Sequence, residues 1–297
     1  ATSSAGAWRG TAESNFALLP DTIGIGGTMV KDSQYVYMLK WSNSGANDVY
    51  RHAISDTSSA WTTFGTLNAT AGGAGAGIAT DGNFVYMVKG GGTTNVYRHS
   101  ATTTTGGWTV YSATNLGNVS DGGGVAVNSS GVYILSGNNT STLYYHTLSD
   151  TASAWSAFAN LPGNVGAGGA IMADDNYLYV LQGNSGTGFY RHSISTTTGS
   201  WDSIPLPAGV SAGGSMAIYG SYVYVQQGTA APYNGVYRHL IATTTGDWDT
   251  FATFGSAPFS KGSSMTVNAN GLYVVDSSNS LGASLYYHTL DNTSDPW

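Results

Sequence analysis

An all-β chain, folded as a six-bladed β-propeller with four antiparallel strands to a blade, is what this sequence predicts, on three observations. One unit recurs six times along the 297 residues. Each copy carries one His and one Trp in fixed relation. The stretches between turn signals are short and rich in β-branched and aromatic residues, and no helical periodicity of useful length is present.

The register of the repeat is set by its histidines. All six lie in one motif: Tyr50-Arg51-His52, Tyr97-Arg98-His99, Tyr144-Tyr145-His146, Tyr190-Arg191-His192, Tyr237-Arg238-His239 and Tyr286-Tyr287-His288. They are spaced 47, 47, 46, 47 and 49 residues apart, and a Trp follows each by nine: Trp61, Trp108, Trp155, Trp201, Trp248 and Trp297. Within a unit, a small-residue run such as Gly168-Gly169-Ala170-Ile171-Met172 opens as the first strand. A turn such as Asp81-Gly82-Asn83 supplies the positive φ of a hairpin. The second strand alternates aromatic and aliphatic residues, as in Tyr35-Val36-Tyr37-Met38-Leu39. The third carries the His motif, and the fourth starts at the Trp. Four strands in about 47 residues match a propeller blade. A lone sheet buries only one face, whereas six set radially bury both. The glycines of the first strand then belong nearest the axis, where backbones crowd.

A second level of repetition points to a duplicated three-blade unit. Blades three and six share Leu-Tyr-Tyr-His-Thr-Leu (Leu143 to Leu148, Leu285 to Leu290), and blades two and five share Ala-Thr-Thr-Thr. The segment around Trp8 reads as a fourth strand without its first three, so the single domain, residues 1–297, is expected to close by lending that strand to blade six. This hides both edges from aggregation. Trp8 and Trp297 then compete for one slot: either one lies outside it, or residue 297 leads into a further domain of a longer chain. The start, Ala1-Thr2-Ser3-Ser4, reads as a processed or excised terminus.

The unit resembles a kelch repeat in its aromatic second strand running into glycine (Tyr179-Val180-Leu181-Gln182-Gly183), its Val-Tyr-Arg third strand and its Thr-rich turn before Trp. The paired glycines are incomplete in several blades and the turn is longer. The turns holding Asp56 and Asp150 also resemble the Asp-box turns of sialidase propellers. The kelch resemblance implies the propeller over essentially the whole chain. It leaves enzyme, lectin and scaffold open, because such propellers serve all three.

Composition narrows the function. Charged residues are 8% of the chain, against about a quarter in ordinary domains, and the net charge is −7. Nine scattered Lys and Arg form no basic stripe, so no nucleic-acid partner is expected. No apolar run approaches the ~18 residues that span a bilayer, so no membrane insertion is expected. There is no Cys for thiolate metal sites or for the thioether of a kelch-type copper oxidase. Nor do the six histidines suit a metal. A third strand sits two spacings of ~4.8 Å outside the first, which puts neighbouring histidines about 15 Å apart, against zinc–nitrogen bonds of about 2 Å. They are expected to bond within their own blades, and the arginines to stack on aromatic rings or bridge blades. No cofactor is expected.

Catalysis finds little to work with. Glu13 is the only Glu, the close Asp pairs are Asp174-Asp175 and Asp247/Asp249, and no His lies outside the repeat. The informative asymmetry is in the loops. From the second-strand Tyr to the His is 13 residues in blades two to four but 15 in blades five, six and one, which are contiguous in a ring. That sector is expected to present Trp41, Asn43, Asp48, Tyr233, Asn234 and Asn279 as a binding rim for protein subunits or surface glycans. The expected role is a non-enzymatic extracellular recognition or structural module, free-standing, self-associating or within a larger assembly: a surface adhesin, a virion or phage fibre domain, or a filament subunit. A multivalent sugar-binding propeller and a glycan-processing enzyme are the alternatives.

Overall fold

The computed structural model describes residues 27–40, 49–56, 58–67, 73–112, 114–151, 153–229, 235–253, 263–269, 271–276 and 284–290. These form six antiparallel sheets. Blade one comprises β1 (Thr28–Lys31), β2 (Tyr35–Leu39), β3 (Val49–Ala53) and β4 (Thr62–Thr63). Blade two comprises β5 (Gly77–Thr80), β6 (Phe84–Val88), β7 (Val96–Ser100) and β8 (Thr109–Ser112). Blade three comprises β9 (Gly124–Val127), β10 (Gly131–Leu135), β11 (Leu143–Thr147) and β12 (Ser156–Ala157). Blade four comprises β13 (Ala170–Ala173), β14 (Tyr177–Leu181), β15 (Phe189–Ser193) and β16 (Asp202–Ser203). Blade five comprises β17 (Ser215–Tyr219), β18 (Tyr222–Gln226), β19 (Gly235–Leu240) and β20 (Asp249–Thr253). Blade six comprises β21 (Ser264–Val267), β22 (Leu272–Asp276) and β23 (Ser284–His288).

Five sheets thus have four strands, and the sixth has three among the described residues. The strand expected around Trp8, and Trp297, lie outside those residues. Each inner strand touches the next, from β1 through β5, β9, β13 and β17 to β21, and β21 touches β1. The ring is closed, and the fold is a β-propeller.

One register serves every blade. The second-strand Tyr stands opposite the middle residue of the His motif: Tyr37 opposite Arg51, Tyr86 opposite Arg98, Tyr133 opposite Tyr145, Tyr179 opposite Arg191, Tyr224 opposite Arg238, and Tyr273 opposite Tyr287. Side chains alternate across the strand, so each blade feeds two cores. Tyr37 and Leu39 face Ile78, Val85 and Met87 of blade two, while Met38 faces Val275 of blade six. Among the described residues six such interblade clusters make up the core.

Two local devices position the strands. In blades one, two and four an Asp before the second strand closes its hairpin: Asp81 Oδ1 accepts the amides of Asn83 and Phe84 at 2.8 and 2.7 Å. The other carboxylate oxygen takes the tyrosine hydroxyl, with Tyr37 on Asp32 at 2.9 Å, Tyr86 on Asp81 at 3.1 Å and Tyr179 on Asp174 at 2.7 Å. Near the axis, the glycine just ahead of the first strand in blades two, three and four is forced by crowding. Gly168 has φ of +83°, and a Cβ there would sit 1.8 Å from the carbonyl oxygen of Ser211 in the next blade. Gly122 meets Gly166 in the same way.

Candidate functional site: the loop face and the axial channel

The recurrent His and Trp form an aromatic belt around the outer half of the ring. His52 and Trp61 lie 5.1 Å apart between ring centroids, His99 and Trp108 5.5 Å, His146 and Trp155 5.1 Å, His192 and Trp201 5.0 Å, and His239 and Trp248 5.0 Å. Nδ1 of His52, His99, His146, His192 and His288 donates to the carbonyl of the following residue at 2.7–2.9 Å. Nε2 of His52 and of His146 reaches the turn before Trp, 2.8 Å from the Ser59 carbonyl and 3.0 Å from that of Ser153. His239 instead faces the Asp247 carbonyl at 3.4 Å and takes the Thr243 hydroxyl on Nε2 at 3.2 Å. The described histidines therefore bond within their blades; His52, His146 and His239 also reach the turn before Trp, and His146 Nδ1 in addition lies 3.3 Å from the Tyr111 hydroxyl of the preceding blade.

Sequence reasoning missed a third member of the belt. In blades one, two, three and five the aromatic residue three after Trp packs against the His of the next blade. Phe64 lies 4.7 Å from His99 and 6.0 Å from Trp108, and Phe158 lies 5.1 Å from His192 and 6.2 Å from Trp201. Tyr111 and Phe251 do the same against His146 and His288. The indoles close the contact: Trp108 Nε1 donates to the Phe64 carbonyl at 3.3 Å and Trp201 Nε1 to that of Ala159 at 3.2 Å. The signal was in the sequence as an aromatic at a fixed offset from Trp.

The arginines are likewise occupied. Arg51, Arg98, Arg191 and Arg238 stack over Tyr35, Phe84, Tyr177 and Tyr222 at 4.0, 4.6, 4.5 and 4.6 Å. Arg51 and Arg191 also donate to carbonyls of the next blade, Ala101 at 2.9 Å and Ile241 at 2.6 Å. Arg191 and Arg238 pair with Asp202 and Asp249. Asp56 accepts amides of Ser58 and Ser59 within its turn, which holds its carboxyl well below the usual carboxylate range. Burial raises the tyrosine hydroxyls, with those of Tyr111 and Tyr133 pushed up to about 12. Among the described residues no group of three or more His, Asp or Glu could hold a metal ion.

What remains for recognition is the opposite face, where the loops between second and third strands surround the mouth of the channel. In blades two to four each such loop holds three consecutive left-handed residues: Gly90-Gly91-Gly92, Gly137-Asn138-Asn139 and Gly183-Asn184-Ser185. Asn138, Asn139, Asn184 and Ser185 pay a steric cost there that glycine avoids. Backbone bonds to both neighbouring turns hold them. The Asn138 amide donates to the Asp121 carbonyl and that of Asn139 to Val165, each at 2.8 Å, and the Asn184 and Ser185 amides donate to Ala167 and Val210, each at 2.7 Å. The four side chains are exposed, and Asn184 Nδ2 donates to Asn139 Oδ1 across the blade gap at 3.3 Å. In blades five, six and one the predicted rim residues Trp41, Asn43, Asp48, Tyr233, Asn234 and Asn279 lie outside the described residues.

The channel, open to solvent, has a volume of about 400 Å³ and is lined by the inner strands of all six blades. Its wall is mostly Gly, Ala and aliphatic side chains, with Lys31, Asp121 and a few hydroxyl residues.

No protein-family model and no curated relative matches this sequence. Among solved structures, the chain is similar to the one described as "Structure of YjhT", with a TM-score of 0.66 and 13% sequence identity over 90% of this chain and 98% of that chain. At that identity the likeness concerns the fold.

Proposed function

We propose that this propeller is a non-enzymatic recognition or structural module working outside the cell, as a surface adhesin, a virion or phage fibre domain, or a filament subunit. One observation carries the reading: a division of labour between the two faces. The histidines and arginines, the usual acid–base and anion-binding groups, are engaged in the belt and its stacks. The opposite rim displays uncharged amides and hydroxyls on backbone that neighbouring blades hold in place. Such a surface suits contact with glycans or with protein subunits rather than turnover. The low charge and the absence of Cys support an extracellular setting. Kinship to kelch repeats is part of the proposal and rests on the motif likeness.

A carbohydrate-binding reading draws on the same rim, since paired Asn side chains such as Asn139 and Asn184 are suited to sugar hydroxyls. Glycan-array binding, light scattering across concentration, and turnover of chromogenic glycosides separate the readings. The proposal expects glycan binding or self-assembly that weakens in Trp41→Ala or in the Asn139→Ala/Asn184→Ala pair, with no turnover. Hydrolysis that disappears in Asp121→Asn would overturn it, and so would the absence of both binding and assembly.

A further inference from the structure

Among the described residues five blades have an outer, fourth strand, and each leaves one side of its backbone without a neighbouring strand. Open edges of this kind invite pairing with another chain, and proteins guard them with shortness, charge or bulges. Four of the five are short or charged. β4, β12 and β16 are two residues long, and β16 also bears Asp202. β20 is five residues long but begins with Asp249, whose side chain is 66% exposed. β8, Thr109–Ser112, is four residues long and carries no charge. Both β8 and β20 contain a bulge, so β20 has a bulge and a charge where β8 has the bulge alone. Outside its own sheet β8 makes no backbone hydrogen bond among the described residues.

The second residue of β8 departs from the other blades as well. Val110 is 59% exposed, the most exposed large apolar side chain among the described residues. The same register position holds Thr63, Ala157, Ser203 and Thr250 in the other four blades. A small or polar residue thus satisfies the fold there, and an exposed Val on an open edge calls for a reason beyond it. Val110 stands opposite the half-buried Tyr97, so apolar surface continues inward from the edge. Tyr111, the next residue, turns inward against His146 of blade three.

We infer that β8 is a self-association edge, on which a second copy of this chain pairs its own β8 antiparallel about a two-fold axis at Val110. Charge selects the second copy as the occupant. A two-fold pairing sets each residue near its own counterpart. On β16 or β20 it would oppose Asp202 or Asp249 to itself, and like charges across a strand pair destabilise it. On β8 it opposes only uncharged residues. The nearest charge, Arg98, is stacked over Phe84 one strand further in. The two copies of Arg98 then lie three strand spacings apart, about 14 Å, which exceeds the Debye length of about 10 Å at 0.1 M salt. For a chain of net charge −7, this uncharged edge is where two copies meet at least electrostatic cost. The contact is isologous and closes on itself, so it yields dimers rather than filaments. One short strand pair is smaller than a standard interface of about 1,600 Å², so the dimer is weak and depends on concentration. The edge uses none of the rim residues, so it stands or falls apart from the loop face.

The test is sedimentation of the full chain from about 10 µM to about 1 mM, alongside thermal unfolding. A monomer–dimer equilibrium is expected. Val110→Lys, which charges the edge, should weaken dimerisation at least about tenfold while the melting temperature of the monomer holds. Val110→Thr, the residue of blades one and five, should weaken it less. The chain has no Cys, so Val110→Cys introduces a single thiol. Residues opposite each other in an antiparallel pair have Cα atoms about 4.5–5.5 Å apart, within the disulfide range of about 4.4–6.8 Å. Mild oxidation of Val110→Cys should therefore trap a covalent dimer, whereas Thr63→Cys and Thr250→Cys, at the same place on blades one and five, should stay monomeric. Trp41→Ala and Asn139→Ala should leave dimerisation unchanged. A monomer at every concentration, or trapping that is equal at all three positions, would overturn the inference. So would association that survives Val110→Lys and disappears in Asn139→Ala, which would place the contact on the loop face.

Discussion

The outer belt and the channel wall answer to different pressures. In the belt, every described blade solves one packing problem with the same parts, and where a part changes a neighbour compensates. Blade four has Ile204 where the others have Phe or Tyr, and it places Phe189 where they have Val or Leu. Phe189 then lies 5.1 Å from Trp248 and refills the gap. Along the channel the backbone repeats, but the first residues of the inner strands do not: Ala76-Gly77, Gly123-Gly124 and Gly169-Ala170 stand in blades two to four where blades five, six and one carry Ser215, Ser263-Ser264 and Thr28. Sixfold constancy marks what the fold requires, and departures from it mark where a partner or ligand could act.

The sharpest way to break the comparison is to remove an interblade member of the belt. Phe158→Ala empties a site enclosed by Tyr133, His192 and Trp201. It should cost about 3–5 kcal/mol in chemical unfolding, whereas channel and rim substitutions should cost far less.

A smaller effect is expected from the departure in blade three. There, as in blade six with Gly271 and Tyr287, Gly131 replaces the ring on which arginine stacks in blades one, two, four and five, and Tyr145 replaces the arginine. A Cβ at Gly131 would lie 2.4 Å from the Tyr145 ring and 2.5 Å from the His146 carbonyl oxygen. Gly131→Tyr should therefore destabilise, and adding Tyr145→Arg should recover part of the loss. A double-mutant cycle should show a coupling of about 1–3 kcal/mol. Strict additivity would mean that the exchange is incidental.

Alkali probes all the blades at once. The Tyr111 and Tyr133 hydroxyls are raised from 10 to about 12 by burial. Their protonated forms stabilise the fold fully below the unfolded value and lose that contribution as pH rises through the folded one. Stability should be flat to about pH 9 and fall steeply towards about pH 12, together with tyrosinate absorbance. Ionisation without loss of structure would contradict buried hydroxyls.

The smallest change sharpens the rim. Ser185 holds φ of +62°, so Ser185→Gly should stabilise by up to about 1 kcal/mol, the left-handed penalty less the entropy that glycine adds to the unfolded chain. A loss of stability would mean that the Ser185 side chain contributes more than its conformation costs.

Much of this was legible in the sequence because a repeat multiplies each weak signal by six. Strand order, the axial glycines, the intrablade bonds of the histidines and the stacked arginines followed from spacing and residue type. Phe64 and its counterparts were not recognised as belt members, since their contacts run between blades and sequence spacing shows only what lies within one. The left-handed Asn138-Asn139 pair was hidden for a related reason: its strain is held by carbonyls of Asp121 and Val165, which only the closed ring brings near.

The central claim, that the belt belongs to the fold and recognition to the opposite face, is tested most directly by unfolding Trp108→Ala, Trp155→Ala and Trp201→Ala one at a time and titrating each with the bound partner. The account expects losses of about 3–5 kcal/mol that are alike in all three blades, with affinity unchanged wherever the variant remains folded. A Trp whose removal leaves stability intact and abolishes binding would contradict it.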